Sequence, residues 1–184
     1  MPTYRVNSKG IAVGKSGNDL VYGNNKDNVL VGAGGDDILR GRGGIDIIDA
    51  GNGNDTLFGE SGNDMLSGGY GMDTLIGGSG SDFFGFDTRP SINNIDVVDD
   101  FSVRYDTILL YKKLFKVSAD SKGVIKSSAF WTGSAAHDSN DRLVYDNATG
   151  ALYYDPDGTG AKAAVQFAQL DANLELTHKD FVML

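Results

Sequence analysis

Eight oxygen-bearing side chains recur at every ninth position: Asp19, Asn28, Asp37, Asp46, Asp55, Asp64, Asp73 and Asp82. Seven of them are carboxylates. If the chain folds so that equivalent positions stack, these acids lie about one strand spacing apart, roughly 4.8 Å. At that distance carboxylates repel strongly unless a cation sits between them. Calcium fits such a place, because it takes roughly 6–8 oxygen ligands from carboxylates and backbone carbonyls in a forgiving geometry. Magnesium fits less well, since it demands strict octahedral geometry and keeps its waters.

The elements that would position these acids are visible as eight gapless nonapeptides from Gly14 to Gly85. The oxygen-bearing residue is at position 6 of each. Position 4 is glycine except for Lys26, and position 1 is glycine except for Ala50. Position 8 is always large and apolar: Val21, Leu30, Leu39, Ile48, Leu57, Leu66, Leu75 and Phe84. Glycines at positions 1, 2 and 4 allow a six-residue turn with positive φ and crowded carbonyl oxygens. Positions 7 to 9 form a short strand with the position-8 side chain inward, because alternate residues of a strand share a face. Turn, strand, turn, strand makes a coil of two repeats, and stacked coils make two parallel sheets. Val21, Leu39, Leu57 and Leu75 line one sheet, and Leu30, Ile48, Leu66 and Phe84 the other. Asp19, Asp37, Asp55 and Asp73 then stack along one edge, and Asn28, Asp46, Asp64 and Asp82 along the other. Three gaps per edge give up to about six ions. The core is thin, so the turns must contribute to stability. A glycine-rich linker would not keep an apolar residue at every ninth position.

These units match GGxGxDxUx and resemble the nonapeptide of RTX (repeats-in-toxin) calcium-binding proteins. The resemblance covers residues 14–85. It implies an all-β chain built on a calcium-bound parallel β-roll, a right-handed β-solenoid. By position, it implies that the ligands are the eight position-6 side chains together with turn carbonyls. Those carbonyls are placed on Gly32, Gly34, Gly41, Gly43, Gly51, Gly53, Gly59, Gly62, Gly68 and Gly71. The second repeat departs from the pattern: Lys26 replaces a glycine and Asn28 an acid, so the site between Asn28 and Asp46 is expected to be weak or empty.

Composition agrees. The 184 residues carry a net charge of −9, with 26 glycines, 3 prolines and no cysteine. Residues 14–85 hold 20 of those glycines and 11 acidic against 4 basic side chains. Such a segment repels nucleic acid and anionic membrane and attracts cations. Without counter-ions it is expected to be disordered, since it buries too little apolar surface to offset chain entropy. Absence of cysteine excludes disulfides and thiolate metal sites, and no apolar run is long enough for a membrane-spanning helix.

Residues 1–13 are expected to form an N-terminal strand or cap, and lack the apolar core of a cleavable secretory leader. Residues 86–184 read as a mostly-β region capping the open end of the solenoid. Ile95–Tyr111 suggests short strands, and Arg142–Asp155 a hairpin around Asn147-Ala148-Thr149-Gly150. Lys112–Lys116 and Ala164–Leu170 suggest helical turns. Position 7 of one sheet (Val29, Ile47, Met65, Phe83) forms an outward apolar stripe, expected to be covered by a terminal region. Residues 84–88, 99–102 and 141–160 and the ending Asp180-Phe181-Val182-Met183-Leu184 resemble the region that follows RTX repeats in secreted bacterial proteins. That resemblance implies extracellular localisation and export by type I secretion machinery through an uncleaved C-terminus.

Other candidates are weaker. Asp155 and Asp157 in DPDGTG read either as a turn or as half of an EF-hand loop; Asp99 and Asp100 are further candidates for a last ion. Ser134, His137 and Asp138 are close in sequence without building a triad, and no catalytic motif is present, so no enzyme activity is expected of the chain. Trp131, Tyr153 and Tyr154 could stack on sugar rings or belong to the core. Two other readings stand beside the calcium-folded secreted protein: a calcium-dependent adhesin for extracellular polysaccharide, and the C-terminal module of a larger secreted enzyme.

Overall fold

The computed structural model describes all 184 residues. Two short strands, β1 (Thr3–Arg5) and β2 (Ile11–Val13), precede the repeats. The repeats supply β3 (Leu20–Tyr22), β4 (Val29–Gly34), β5 (Ile38–Gly43), β6 (Ile47–Asn52), β7 (Thr56–Ser61), β8 (Met65–Tyr70), β9 (Thr74–Ser79) and β10 (Phe83–Phe86). Odd-numbered strands pair in parallel in the order β1-β3-β5-β7-β9, and even-numbered ones as β2-β4-β6-β8-β10. Leu57 lies opposite Leu39 and Leu75, and Ile48 opposite Leu66. Each two-repeat coil therefore sits squarely on the one before. None of the eight position-8 side chains is more than 1% exposed, so the expected one-residue-wide core is present.

The strands are longer than the three residues expected. β4 to β9 each span six residues, from position 7 to position 3 of the next repeat. Pairing skips position 1: Val31 opposes Asp49, Gly32 is passed over, and Ala33 opposes Gly51. The chain bends there and then re-pairs, so the turns themselves are hydrogen-bonded coil to coil. Residues 1–13 add a partial coil rather than a lid, with Tyr4 opposite Val21 and Ala12 opposite Leu30. The position-7 stripe is largely uncovered: Val29, Ile47 and Phe83 are 37%, 48% and 40% exposed, while Met65 is half-buried. Both ends of the chain prolong the sheets through backbone pairing and not by lying across their faces.

Beyond the repeats come β11 (Asp96–Val98), β12 (Thr107–Leu110), β13 (Phe130–Thr132), β14 (Leu143–Asp146), β15 (Ala151–Tyr154), β16 (Val165–Gln169) and β17 (Phe181–Met183). They lengthen the first sheet as β9-β11-β16-β15-β14-β13 and the second as β10-β12-β17. β14 and β15 form the expected antiparallel hairpin. Its turn is held by the Asp146 carbonyl, which accepts from Gly150 N–H at 2.7 Å. Residues 164–170 are not helical. β16 pairs with β15 on one side and β11 on the other, and pairing on both edges overrides a short ambiguous pattern. Residues 111–115 do make one turn, with Phe115 N–H donating to the Tyr111 carbonyl at 3.0 Å. The core of this half is aromatic: Phe167 meets Phe86 at 5.0 Å and Phe115 at 5.1 Å between ring centroids. No helix is long and apolar enough to cross a membrane.

Candidate metal centres

The turns between strands carry two ladders of side-chain hydrogen bonds. In the first, the position-6 carboxylate reaches back one coil. Asp37 Oδ1 accepts from Asp19 N–H at 2.7 Å, Asp55 Oδ1 from Asp37 N–H at 2.6 Å, and Asp73 Oδ1 from Asp55 N–H at 2.8 Å. On the other edge Asp46 takes the Asn28 N–H, Asp64 the Asp46 N–H and Asp82 the Asp64 N–H, at 2.7 to 2.8 Å. All eight position-6 side chains are buried, at 0 to 3% exposure. The predicted stacking along two edges is thus in place.

The second ladder was not foreseen. Position 5 reaches forward one coil: Asn18, Asp27, Asp36, Asn54 and Asn63 accept from the N–H of Asp36, Ile45, Asn54, Met72 and Ser81, each at 2.8 or 2.9 Å. It lapses where position 5 is apolar, and Ile45 and Met72 are both 57% exposed. The signal for it was the short amide or acid preceding most of the position-6 residues.

The ladders consume one oxygen of each carboxylate and leave the other. Oδ2 of Asp37, Asp46, Asp55, Asp64 and Asp73 is buried with no hydrogen-bond partner. A buried anionic oxygen without a partner is costly. Burial pushes Asp46 and Asp55 up to about 7, and Asp73 and Asp82 up to about 6. Like-charged neighbours add to this: Asp64 acts on Asp46, and Asp73 and Asp37 act on Asp55. No basic side chain pairs with any of them.

Carbonyl oxygens gather beside these free oxygens. Around the point where a Cβ would stand on Gly32, Asp37 Oδ2 and the Ala50 carbonyl both lie within 3.0 Å. The same pairing of a position-6 oxygen with a position-1 carbonyl surrounds Gly14 (Asp19, Gly32), Gly23 (Asn28, Gly41), Gly41 (Asp46, Gly59) and Gly59 (Asp64, Gly77). Position 1 is therefore glycine for space and not for positive φ, which corrects the expectation for that position. Left-handed backbone occurs at positions 2 and 4, and at position 2 even Ala33, Arg42 and Glu60 adopt it. Repeats three to eight share this turn, whereas Lys26 and Gly17 do not take positive φ. No three acidic or histidine side chains converge on one point. One carboxylate per turn, completed by carbonyls, suits a hard cation with many oxygen ligands and not a compact side-chain cage.

At the ends, Asp19 Oδ2 accepts from Lys15 N–H at 2.7 Å, and Asn28 Oδ1 from Asn24 N–H at 2.7 Å. Both are occupied within their own turns, which distinguishes the first two repeats from the rest. Past Asp82, Asp100 is not the next rung: its two oxygens accept from Gly77 and Gly78 N–H at 2.9 and 2.7 Å. The residues that continue the ladders are Asp96, on Asp73 N–H at 3.2 Å, and Asp106, on Asp82 N–H at 2.9 Å. Neither was singled out in the sequence, although Asp106-Thr107-Ile108 repeats the pattern of Asp55-Thr56-Leu57.

Asp155 Oδ1 accepts from the N–H of Asp157 and Gly158, which is a turn and not an EF-hand. His137 is exposed and stacks on Trp131 at 4.4 Å, with its Nδ1 3.9 Å from both Asp138 and Asp141, so no triad forms. Tyr154 is buried against Phe115 at 5.2 Å, with its hydroxyl accepting from Lys116 N–H. It belongs to the core and leaves no three-aromatic platform for sugars.

A family model, the RTX calcium-binding nonapeptide repeat, matches residues 13–48 and 49–84. No curated protein sequence matches the chain. Among solved structures, the AlgE6R3 subunit from the Azotobacter vinelandii mannuronan C5-epimerase is similar in fold. It has 22% identity and a TM-score of 0.50, covering 92% of this chain and 80% of that one. The stacked two-repeat coils, the buried carboxylate ladders and the family match lead to one conclusion: the segment from 13 to 84 is an array of RTX calcium-binding nonapeptide repeats folded as a β-roll.

Proposed function

We propose that the chain is a secreted bacterial protein whose β-roll folds when calcium enters the gaps between stacked turns. The ligands are the unpartnered Oδ2 atoms of Asp37, Asp46, Asp55, Asp64 and Asp73, together with turn carbonyls such as those of Ala50, Gly59 and Gly77. The observation that carries this reading is the recurrence of a buried anionic oxygen with no partner in successive turns. When bound, calcium supplies the positive charge that these oxygens lack. The chain's own residues fix the rest: glycine at position 1 keeps the space open, and the N–H of the preceding coil holds each carboxylate in place.

This chemistry suits a folding switch. Cytosolic calcium is too dilute for extracellular-type sites with Kd on the order of 10⁻⁴–10⁻³ M, so the repeats stay unfolded inside the cell and can thread a type I exporter. Outside, calcium binds only the folded form and draws it together by mass action. Phe181 and Met183 of the C-terminal ending are buried at 0% and 3% in the folded protein, so the exporter must read that ending before folding. In Asp55→Ala and Asp64→Ala, calcium affinity and cooperativity fall in a titration. Unchanged values in both would overturn the ligand assignment.

A further inference from the structure

The family match stops at residue 84, yet each carboxylate ladder gains one more rung from outside the repeats. Asp96 follows Asp73 by 23 residues and Asp106 follows Asp82 by 24, where the repeat spacing is 18. The strands regain register all the same: Val97 lies opposite Thr74, and Thr107 opposite Phe83. The two added rungs differ in their second oxygen. Asp106 Oδ2 accepts from Ser102 N–H at 2.8 Å, so its own loop closes it. On the other edge, Asp73 is 1% exposed and its Oδ2 has no hydrogen-bond partner, while Asp96 is 2% exposed. Asp96 Oδ1 accepts from the Asp73 N–H at 3.2 Å, which sets the two carboxyl groups on successive rungs, and no basic side chain pairs with either. A buried carboxylate oxygen with no donor beside a second buried carboxylate is costly to keep unless a cation meets it.

We propose that Asp73 and Asp96 form a further calcium site, outside the nonapeptide array, at the junction of the roll with the C-terminal region. The inference rests on the ligand reading above. β11, which carries Asp96, is hydrogen-bonded to β9 of the roll on one side and to β16 on the other. An ion at this rung therefore ties the last coil to the C-terminal sheet. The opposite edge needs none, because Asp106 is already closed by hydrogen bonds.

The test counts calcium bound at saturation by equilibrium dialysis of the full chain, for the wild type, Asp96→Asn, Asp106→Asn and Asp55→Asn. An amide at position 96 keeps an oxygen for the Asp73 N–H, so the ladder hydrogen bond survives. Asp96→Asn is expected to bind one ion fewer, and Asp106→Asn the wild-type number. If Asp96→Asn binds the full number while Asp55→Asn loses an ion, the junction site is overturned and the repeat sites stand. If Asp55→Asn also loses none, the ligand reading itself fails, and the junction site with it. A crystal of the wild type grown in calcium provides a check that needs no variant. Density between the Asp73 and Asp96 carboxyl groups is expected, and a bare gap there beside ions between the repeats overturns the inference.

Discussion

Residues 14–85 and 86–184 share two continuous sheets, but different forces hold them. In the roll, each strand buries one large apolar side chain, and the turns bury carboxylates that lack counter-charges. In the C-terminal region, Phe86, Phe115, Tyr154 and Phe167 pack edge to face at 5.0 to 5.2 Å. Buried carboxyls there, such as Asp141 and Asp155, have their N–H partners within their own loops. The roll thus leaves buried carboxylate oxygens without partners turn after turn, whereas the loops that carry Asp141 and Asp155 close those carboxyls with their own N–H groups. A parallel stack of short identical coils cannot build a thick core, whereas a hairpin flanked by loops can fold aromatic rings across its face.

Substitutions sharpen the contrast, and the largest effect belongs to the aromatic half. Phe167→Ala removes the ring between Phe86 and Phe115 and is expected to cost about 3–5 kcal/mol, read by thermal unfolding in saturating calcium. A loss that small substitutions in the roll could match would break the distinction. Next comes Gly62→Ala. Its φ is +145° and a Cβ would collide with the Gly44 carbonyl, so the expected cost is at least about 1–3 kcal/mol. Gly17, with open space and no positive φ, is the matched control, and its alanine variant stays within about 0.5 kcal/mol. Equal effects at the two glycines would contradict the turn geometry.

Charge changes at the ladder follow. Asp55→Asn is expected to empty its site, so that calorimetric titration finds one calcium ion fewer than in the wild type at saturation. Asn28→Asp should move the other way, adding a charge where the second repeat lacks one. The smallest effect is at the outer stripe: Phe83→Ser, at a side chain 40% exposed, should change the unfolding free energy by no more than about 0.5 kcal/mol. A larger loss would mean that this face is covered.

The sequence made the roll legible because its two constraints both have fixed periods. Position 8 must be apolar to fill the core, and position 6 must carry an oxygen to line the turn. Position 5 escaped notice since its role depends on backbone direction, which a side chain's type does not reveal. Position 1 was assigned to positive φ when the reason is the carboxylate pressing on it, a contact made only after folding. Asp96 and Asp106 were hidden by insertions of a few residues that break the period while leaving the register of β11 and β12 intact. Residues 164–170 read as helix because seven residues carry too little periodicity, and strand partners distant in sequence decide the outcome.

The central claim is that cations fold the roll. Chelator-treated protein titrated with calcium and followed by far-UV circular dichroism tests it most directly. The account predicts a low β signal in chelator, a cooperative gain as several calcium ions bind, and no such gain with magnesium at the same concentration. A full β signal already present in chelator, unchanged by calcium, would contradict it.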